Sequence, residues 1–156
     1  MQNRFLYDIE LLKDNIIDAV VNRIKISTLN EINITNLNNV YINNELMGCE
    51  TPLKILSIFD FIRGDNFAIN SICIRKSTIL DVGLFDKYLL QAEDVDLYYR
   101  LFYNNATIIS SPSLEPVAVY NIHENNSIKN LNNAIFYNRM FYKNIFFMLL
   151  RIWKYD

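Results

Sequence analysis

The sequence predicts an α/β layered fold, a mixed sheet with flanking helices that ends in a long C-terminal helix. Short β-branched, apolar runs alternate with segments of helical period, an order that favours strands and helices stacked in layers. The 156 residues are 51% hydrophobic with a net charge of only −2, so neither condition for a disordered chain is met. No internal repeat is visible, and the length suits one domain better than two.

The elements follow in order. Phe5, Ile9, Leu12 and, on the flank, Leu6 recur at helical spacing, with Arg4, Asp8, Glu10 and Lys13 elsewhere. That pattern predicts an amphipathic helix over residues 4–14. The β-branched run from Ile16 to Ile26 predicts a strand. From Ser27 to Glu50 the chain alternates Asn with apolar residues, which predicts an irregular excursion with one short strand at Val40-Tyr41-Ile42. Thr51-Pro52 resembles a helix start, with Thr as cap and Pro in the first turn, for a helix reaching Phe61. Asn66 to Arg75 is a strand candidate, and Ser77 is placed to cap a short helix ending at Gly83.

Glu93 to Tyr103 is the best helix in the chain, with Leu97, Arg100, Leu101 and Asn104 on adjoining turns. Tyr98, Tyr99, Phe102 and Tyr103 read as its packed face. Thr107 to Ser110 and Val117 to Ile122 predict short strands, and Ser127 to Tyr155 a long, aromatic-rich helix. Residues 1–127 are expected to form the layered unit and residues 128–156 the amphipathic helix.

Charge and cysteine usage exclude some partners. Fifteen basic residues against 17 acidic ones leave no basic excess of the kind a nucleic-acid binder shows. Cys49 and Cys73 are far apart and lack CxxC spacing, so they read as small buried hydrophobes in a reducing compartment. The first residues, Met1 to Phe5, lack the uninterrupted apolar stretch of a signal peptide. The run Ile145 to Leu150 falls far short of the roughly 20 residues that span a bilayer. A cytoplasmic chain is expected, peripheral at most. The wide apolar arc of residues 134–155, interrupted by Arg139, Lys143, Arg151 and Lys154, suits either packing on the domain plus a partner or contact with an anionic membrane face.

Four features occur in one order. An apolar strand ends in Ile74-Arg75-Lys76, then come Gly83-Leu84-Phe85-Asp86, Glu93-Asp94-Val95-Asp96-Leu97-Tyr98-Tyr99-Arg100-Leu101, and Tyr120-Asn121-Ile122-His123 followed by Ser127. Over residues 67–127 the sequence here resembles glycosyltransferase family 2, the inverting family with the GT-A fold. The resemblance implies an incomplete GT-A-like (Rossmann-like) domain and transfer from a nucleotide sugar to a glycan or lipid-linked acceptor. It implies that Asp94 is the general base, with Glu93 beside it in the motif. Asp96, Arg100 and Asp86 are then expected on the substrate side, and His123 toward the donor diphosphate or its divalent cation, Mg or Mn.

Inverting transfer needs one base to take the acceptor hydroxyl's proton, and a carboxylate in a helix's first turn is held rigidly and kept ionised by the helix dipole. Each of these residues also has a plainer reading. First-turn acids cap helices, Asp96 and Arg100 can pair at i,i+4, and Asp86 can cap its loop. A lone His at a strand end is often structural. Phe85 is expected in the core, and Gly83 where a side chain would forbid the backbone angle.

The family's nucleotide-binding half, with its Asp-x-Asp metal motif, has no counterpart here. Asp94-Val95-Asp96 opens an amphipathic helix and does not end a buried strand, so it is rejected as that motif. Residues 3–14 resemble the helix that follows it. The expectation is a truncated or split chain whose open sheet recruits a partner chain or a second copy. The rival expectation is a non-catalytic remnant or binding module.

Overall fold

The apolar run Ala19-Val20-Val21 forms the fully buried strand β1 (Ala19–Val21) at the centre of the molecule. The computed structural model describes residues 4–28, 46–63 and 67–122, and positions 132, 133, 135–137, 139, 140, 142, 143 and 146. Around β1 the described elements are α1 (Arg4–Leu12), β2 (Ile24–Thr28), β3 (Leu46–Met47), β4 (Ile55–Leu56), α2 (Ile58–Arg63), β5 (Ile72–Ile74), α3 (Lys76–Asp81), α4 (Glu93–Tyr103), β6 (Ile108–Ser110) and β7 (Ala118–Ile122). The expected strand at residues 40–42 and His123 lie outside the described residues.

The fold is mixed α/β, as expected, with two mixed sheets. One has the order β4-β6-β1-β5, the other β3-β2-β7. In the first, β1 runs parallel to β6 and antiparallel to β5, and β6 antiparallel to β4. In the second, β2 is parallel to β7 and antiparallel to β3. One face of the larger sheet, with Ala19, Val21, Ile72, Ile74 and Ile108, packs on Leu97, Tyr98 and Leu101 of α4 and on Phe61 and Phe67. Each such fully buried large side chain contributes about 1.5–3 kcal/mol. Phe61 is the hub, its ring 5.2 Å from Phe67 and 5.7 Å from Tyr98.

The expected single strand from Ile16 to Ile26 is two strands in different sheets. The break falls at Asn22, whose side-chain amide donates to both oxygens of Asp8 and to the Ser71 carbonyl. Asp8 is 1% exposed, whereas Leu6 and Ile9 are 65% and 51% exposed. So α1 turns a carboxylate inward and part of its apolar stripe outward, the reverse of the expected face. A buried carboxylate needs a donor, and Asn22 meets that need.

The expected helix from Thr51 is also corrected. Leu53 has φ 52, and Ile55-Leu56 pairs with Ile109-Ile108. Ser110 enforces the extended path: Lys54 N–H donates to its hydroxyl at 2.8 Å, and its own N–H donates to the Lys54 carbonyl at 2.9 Å. The helix begins later, at Ser57, where the Asp60 N–H donates to Ser57 Oγ and Ser57 N–H to Asp60 Oδ2. This reciprocal pair is a capping box. Lys54, 2.8 Å from Asp60, and Ser57 hold that carboxyl well below the usual carboxylate range.

Among the described residues of the expected strand over 66–75, Ile72–Ile74 alone form a strand, behind a 3-10 turn at Ile69–Ser71. Ser77 does not cap α3. That helix starts at Lys76 with Arg75 before it and no side-chain cap. Arg75 instead holds the end of α1 and the turn after it, its Nη2 donating to the carbonyls of Leu12, Asp14 and Ile17, the first of them a group that a helix end leaves without an intrahelical partner. The described positions between 132 and 146 are helical, with Ile135, Phe136, Tyr142 and Phe146 exposed. Among the described residues no helix is long and apolar enough to cross a membrane.

Candidate active site

Helix α4 spans Glu93–Tyr103, the bounds its periodicity predicts. Leu97 and Leu101, both 0% exposed, fix it on the sheet. Three acids, Glu93, Asp94 and Asp96, occupy its first turn, where the helix dipole favours anions. Ala92 ahead of them is left-handed at φ 61. A non-glycine residue held there costs about 1–3 kcal/mol, so the surrounding structure over-determines it.

The three carboxylates are not equivalent. Asp96 is 8% exposed, and its Oδ2 accepts from Arg100 Nε at 2.8 Å. The Arg100 Nη1 then donates to the Val82 carbonyl at the end of α3. There Gly83 takes φ 91 and Leu84 φ 62, and the Gly83 and Leu84 N–H groups donate to the carbonyls of Leu80 and Ile79. A Cβ on Gly83 would lie 3.9 Å from Arg100 Nη1, so φ, not space, asks for glycine. One guanidinium thus ties the Glu-Asp-x-Asp-Leu-x-x-Arg helix to the Gly-x-Phe-Asp turn. The structure engages Asp96 and Arg100 with each other, and in that pose they hold α4 to the turn after α3.

Glu93 and Asp94 are half-buried, and among the described residues no cation pairs with either. Asp94 Oδ1 accepts only the Val95 N–H, at 2.8 Å. Two carboxylates therefore stand at the helix start with acceptor capacity to spare, beside one that is neutralised. Such a pair can take a proton from a hydroxyl or hold a polar, hydroxyl-bearing ligand.

Asp86 organises its own loop: Oδ1 accepts the Tyr88 N–H at 2.9 Å, and its carbonyl accepts from Leu89. Leu89, 4% exposed, anchors that loop. Phe85, expected in the core, is 44% exposed because Leu89 takes the inward position. Among the described residues no group of His, Cys, Asp or Glu could hold a metal ion.

Sequence reasoning missed Asp18. Its Oδ1 accepts the Thr78 hydroxyl at 2.6 Å and its Oδ2 the Thr107 N–H at 2.9 Å, joining β1, α3 and the start of β6. The available signal was an acid directly before the Ala-Val-Val run.

The Tyr98 hydroxyl is buried without a hydrogen-bond partner. Burial pushes its phenol well above the ordinary 10.0, and the charges of Asp94 and Glu93 push it further. The folded state therefore holds this proton more tightly than the unfolded chain, so its contribution is intact below pH 10 and is lost as pH rises beyond it. Tyr98→Phe keeps the ring on Phe61 and Phe67 and removes the orphaned hydroxyl. It should raise stability by about 1 kcal/mol in urea unfolding at neutral pH, and more above pH 10. A loss of stability at both would show that the hydroxyl has a partner.

Compared with protein families, curated proteins and solved structures, the chain matches none.

Proposed function

We propose that the chain is the acceptor-side part of an inverting, nucleotide-sugar-dependent glycosyltransferase of family 2, with a GT-A-like fold. The observation that carries this reading is the division of labour on α4. Asp96 is paired with Arg100 and clamped to the Val82 carbonyl, while Glu93 and Asp94 have no cation partner among the described residues. In this reading Asp94 is the general base, Glu93 shapes the field around it, and Asp86 holds the loop that borders the acceptor. The acceptor is a hydroxyl of a glycan or of a lipid-linked sugar. The Mg or Mn that assists departure of the donor diphosphate would have its main ligands outside this chain, with His123 as this chain's contribution.

Asp94 takes the proton of the acceptor hydroxyl as the oxygen attacks the anomeric carbon, and the bond to the nucleoside diphosphate breaks on the opposite face. Direct displacement of this kind inverts the anomeric centre. The test is an assay of the chain with a panel of nucleotide sugars and glycan acceptors, alone and together with the polypeptide encoded immediately upstream. Sugar transfer that requires this chain is the expected result. Folded chains that transfer nothing in either arm would favour the alternative, a non-catalytic module that binds a partner or a glycan.

In this reading the chain is cytoplasmic, and exposed Ile135, Phe136, Tyr142 and Phe146 beside exposed Arg139 and Lys143 support peripheral contact with an anionic membrane face, near a lipid-linked acceptor. Co-sedimentation with anionic but not neutral liposomes is expected; binding to neither would remove the membrane contact.

A further inference from the structure

The loop from Val82 to Glu93 is tied to α4 at both ends, by the Arg100 bond to the Val82 carbonyl and by the helix start itself. Glu93 and Arg100 stand seven positions apart on that helix, so the loop bridges about 10 Å of its length. Leu89 anchors it inward, while Leu84, Phe85, Tyr88 and Leu90 are exposed. Tyr88, 70% exposed, is nonetheless held. Its N–H donates to Asp86 Oδ1 at 2.9 Å, its neighbour Leu89 is buried, and the Lys87 ammonium lies over its ring, 5.1 Å from the centroid. A cation on one face fixes the ring's tilt and leaves the other face to solvent.

Charge narrows what such a ring can take. From Leu84 to Asp94 the chain carries Asp86, Glu93 and Asp94 against Lys87, an excess that repels phosphates, carboxylates and anionic surfaces. What suits it is an uncharged ligand with an apolar face and hydroxyl donors. A pyranose ring has both: its C–H bonds stack on the electron-rich face of an aromatic ring, and its hydroxyls donate to carboxylates. We propose that Tyr88 is the stacking platform of the acceptor and that this acceptor is a neutral glycan. One of its rings lies on the open face of Tyr88 while the attacking hydroxyl reaches Asp94. Six positions separate the two residues, at most about 20 Å of chain, within the span of a short oligosaccharide. This role rests on the reading of Asp94 as the base, and adds the side chain that selects the substrate.

The test is binding, which needs neither donor nor a second polypeptide. The full chain is titrated, with saturation-transfer NMR as readout, against neutral hexasaccharides of glucose, galactose and mannose and against hexagalacturonate as the acidic counterpart. A neutral hexasaccharide should bind and hexagalacturonate should not. Tyr88→Ala should weaken binding about fivefold or more, and Tyr88→Phe, which keeps the ring, should preserve it. Tyr7→Ala, at an exposed tyrosine on α1, should change nothing. Circular dichroism verifies that the variants are folded. Binding of no neutral hexasaccharide, equal binding of hexagalacturonate, or equal binding by Tyr88→Ala would each overturn the platform. Tyr88-dependent binding by a chain that transfers nothing in any arm would uphold the glycan site and sink the transferase reading. Transfer whose acceptor KM ignores Tyr88→Ala would do the reverse.

Discussion

Arg100→Ala is expected to destabilise the fold by about 2–3 kcal/mol, because it leaves an unpaired carboxylate in a mostly buried position. The Arg100 and Asp96 side chains are 24% and 11% exposed at 2.8 Å separation, so this pair lies between the buried and the surface regime. The substitution also removes the donor to the Val82 carbonyl, loosening the turn at Gly83. The partner change Asp96→Ala should cost less, since Arg100 keeps its bond to Val82 and Nη2 already lacks a partner. The double variant should be more stable than the sum of the single losses predicts, by about 1–2 kcal/mol of coupling. Urea unfolding of the four proteins measures this. A loss under about 0.5 kcal/mol for Arg100→Ala would place the pair among surface ion pairs and remove the clamp.

Asp94→Asn is expected to do the opposite: little to stability and much to transfer. The side chain is half-buried, and its one described bond is to the next residue's N–H, which an amide oxygen accepts equally well. The thermal midpoint should therefore hold. Asparagine cannot accept the acceptor's proton, and general base catalysis supplies about 10²–10⁴ in rate. Transfer in the assembled enzyme should fall by about 10³-fold, with donor binding unchanged. Glu93→Gln should cost far less. If Glu93→Gln silences the reaction and Asp94→Asn does not, the base is Glu93; if neither does, the base lies elsewhere.

How much of this was legible in the sequence depended on the distance over which each element is decided. Helix α4 was readable because its causes are local: first-turn acids, Leu97 and Leu101 one turn apart, and Arg100 four residues after Asp96. The link from Arg100 to Val82 spans 18 positions, and nothing in either residue announces it. The Thr51-Pro52 signal was a sound local helix start, but Ser110, 56 positions away from Lys54, bonded that segment into a sheet edge. In α1 the apolar spacing pointed one way, while the amide of Asn22 drew Asp8 inward. The run from Ile16 to Ile26 had the composition of one strand, and the single turn former where its sheets part, Asn22, was outweighed by its β-branched neighbours. Of the candidate site, the carboxylates and their order were visible. Which of them is neutralised by its neighbour was visible only as an i,i+4 spacing. That Phe85 yields the inward position to Leu89 was not.

Inversion at the anomeric carbon follows from one base and one displacement, so the configuration of the first-formed product tests the account most directly. Proton NMR of a transfer reaction with an α-linked nucleotide sugar, followed before mutarotation or hydrolysis, should show a β-linked product. An α-linked product would require a covalent or front-side route, and would contradict a mechanism built on Asp94 as the single base.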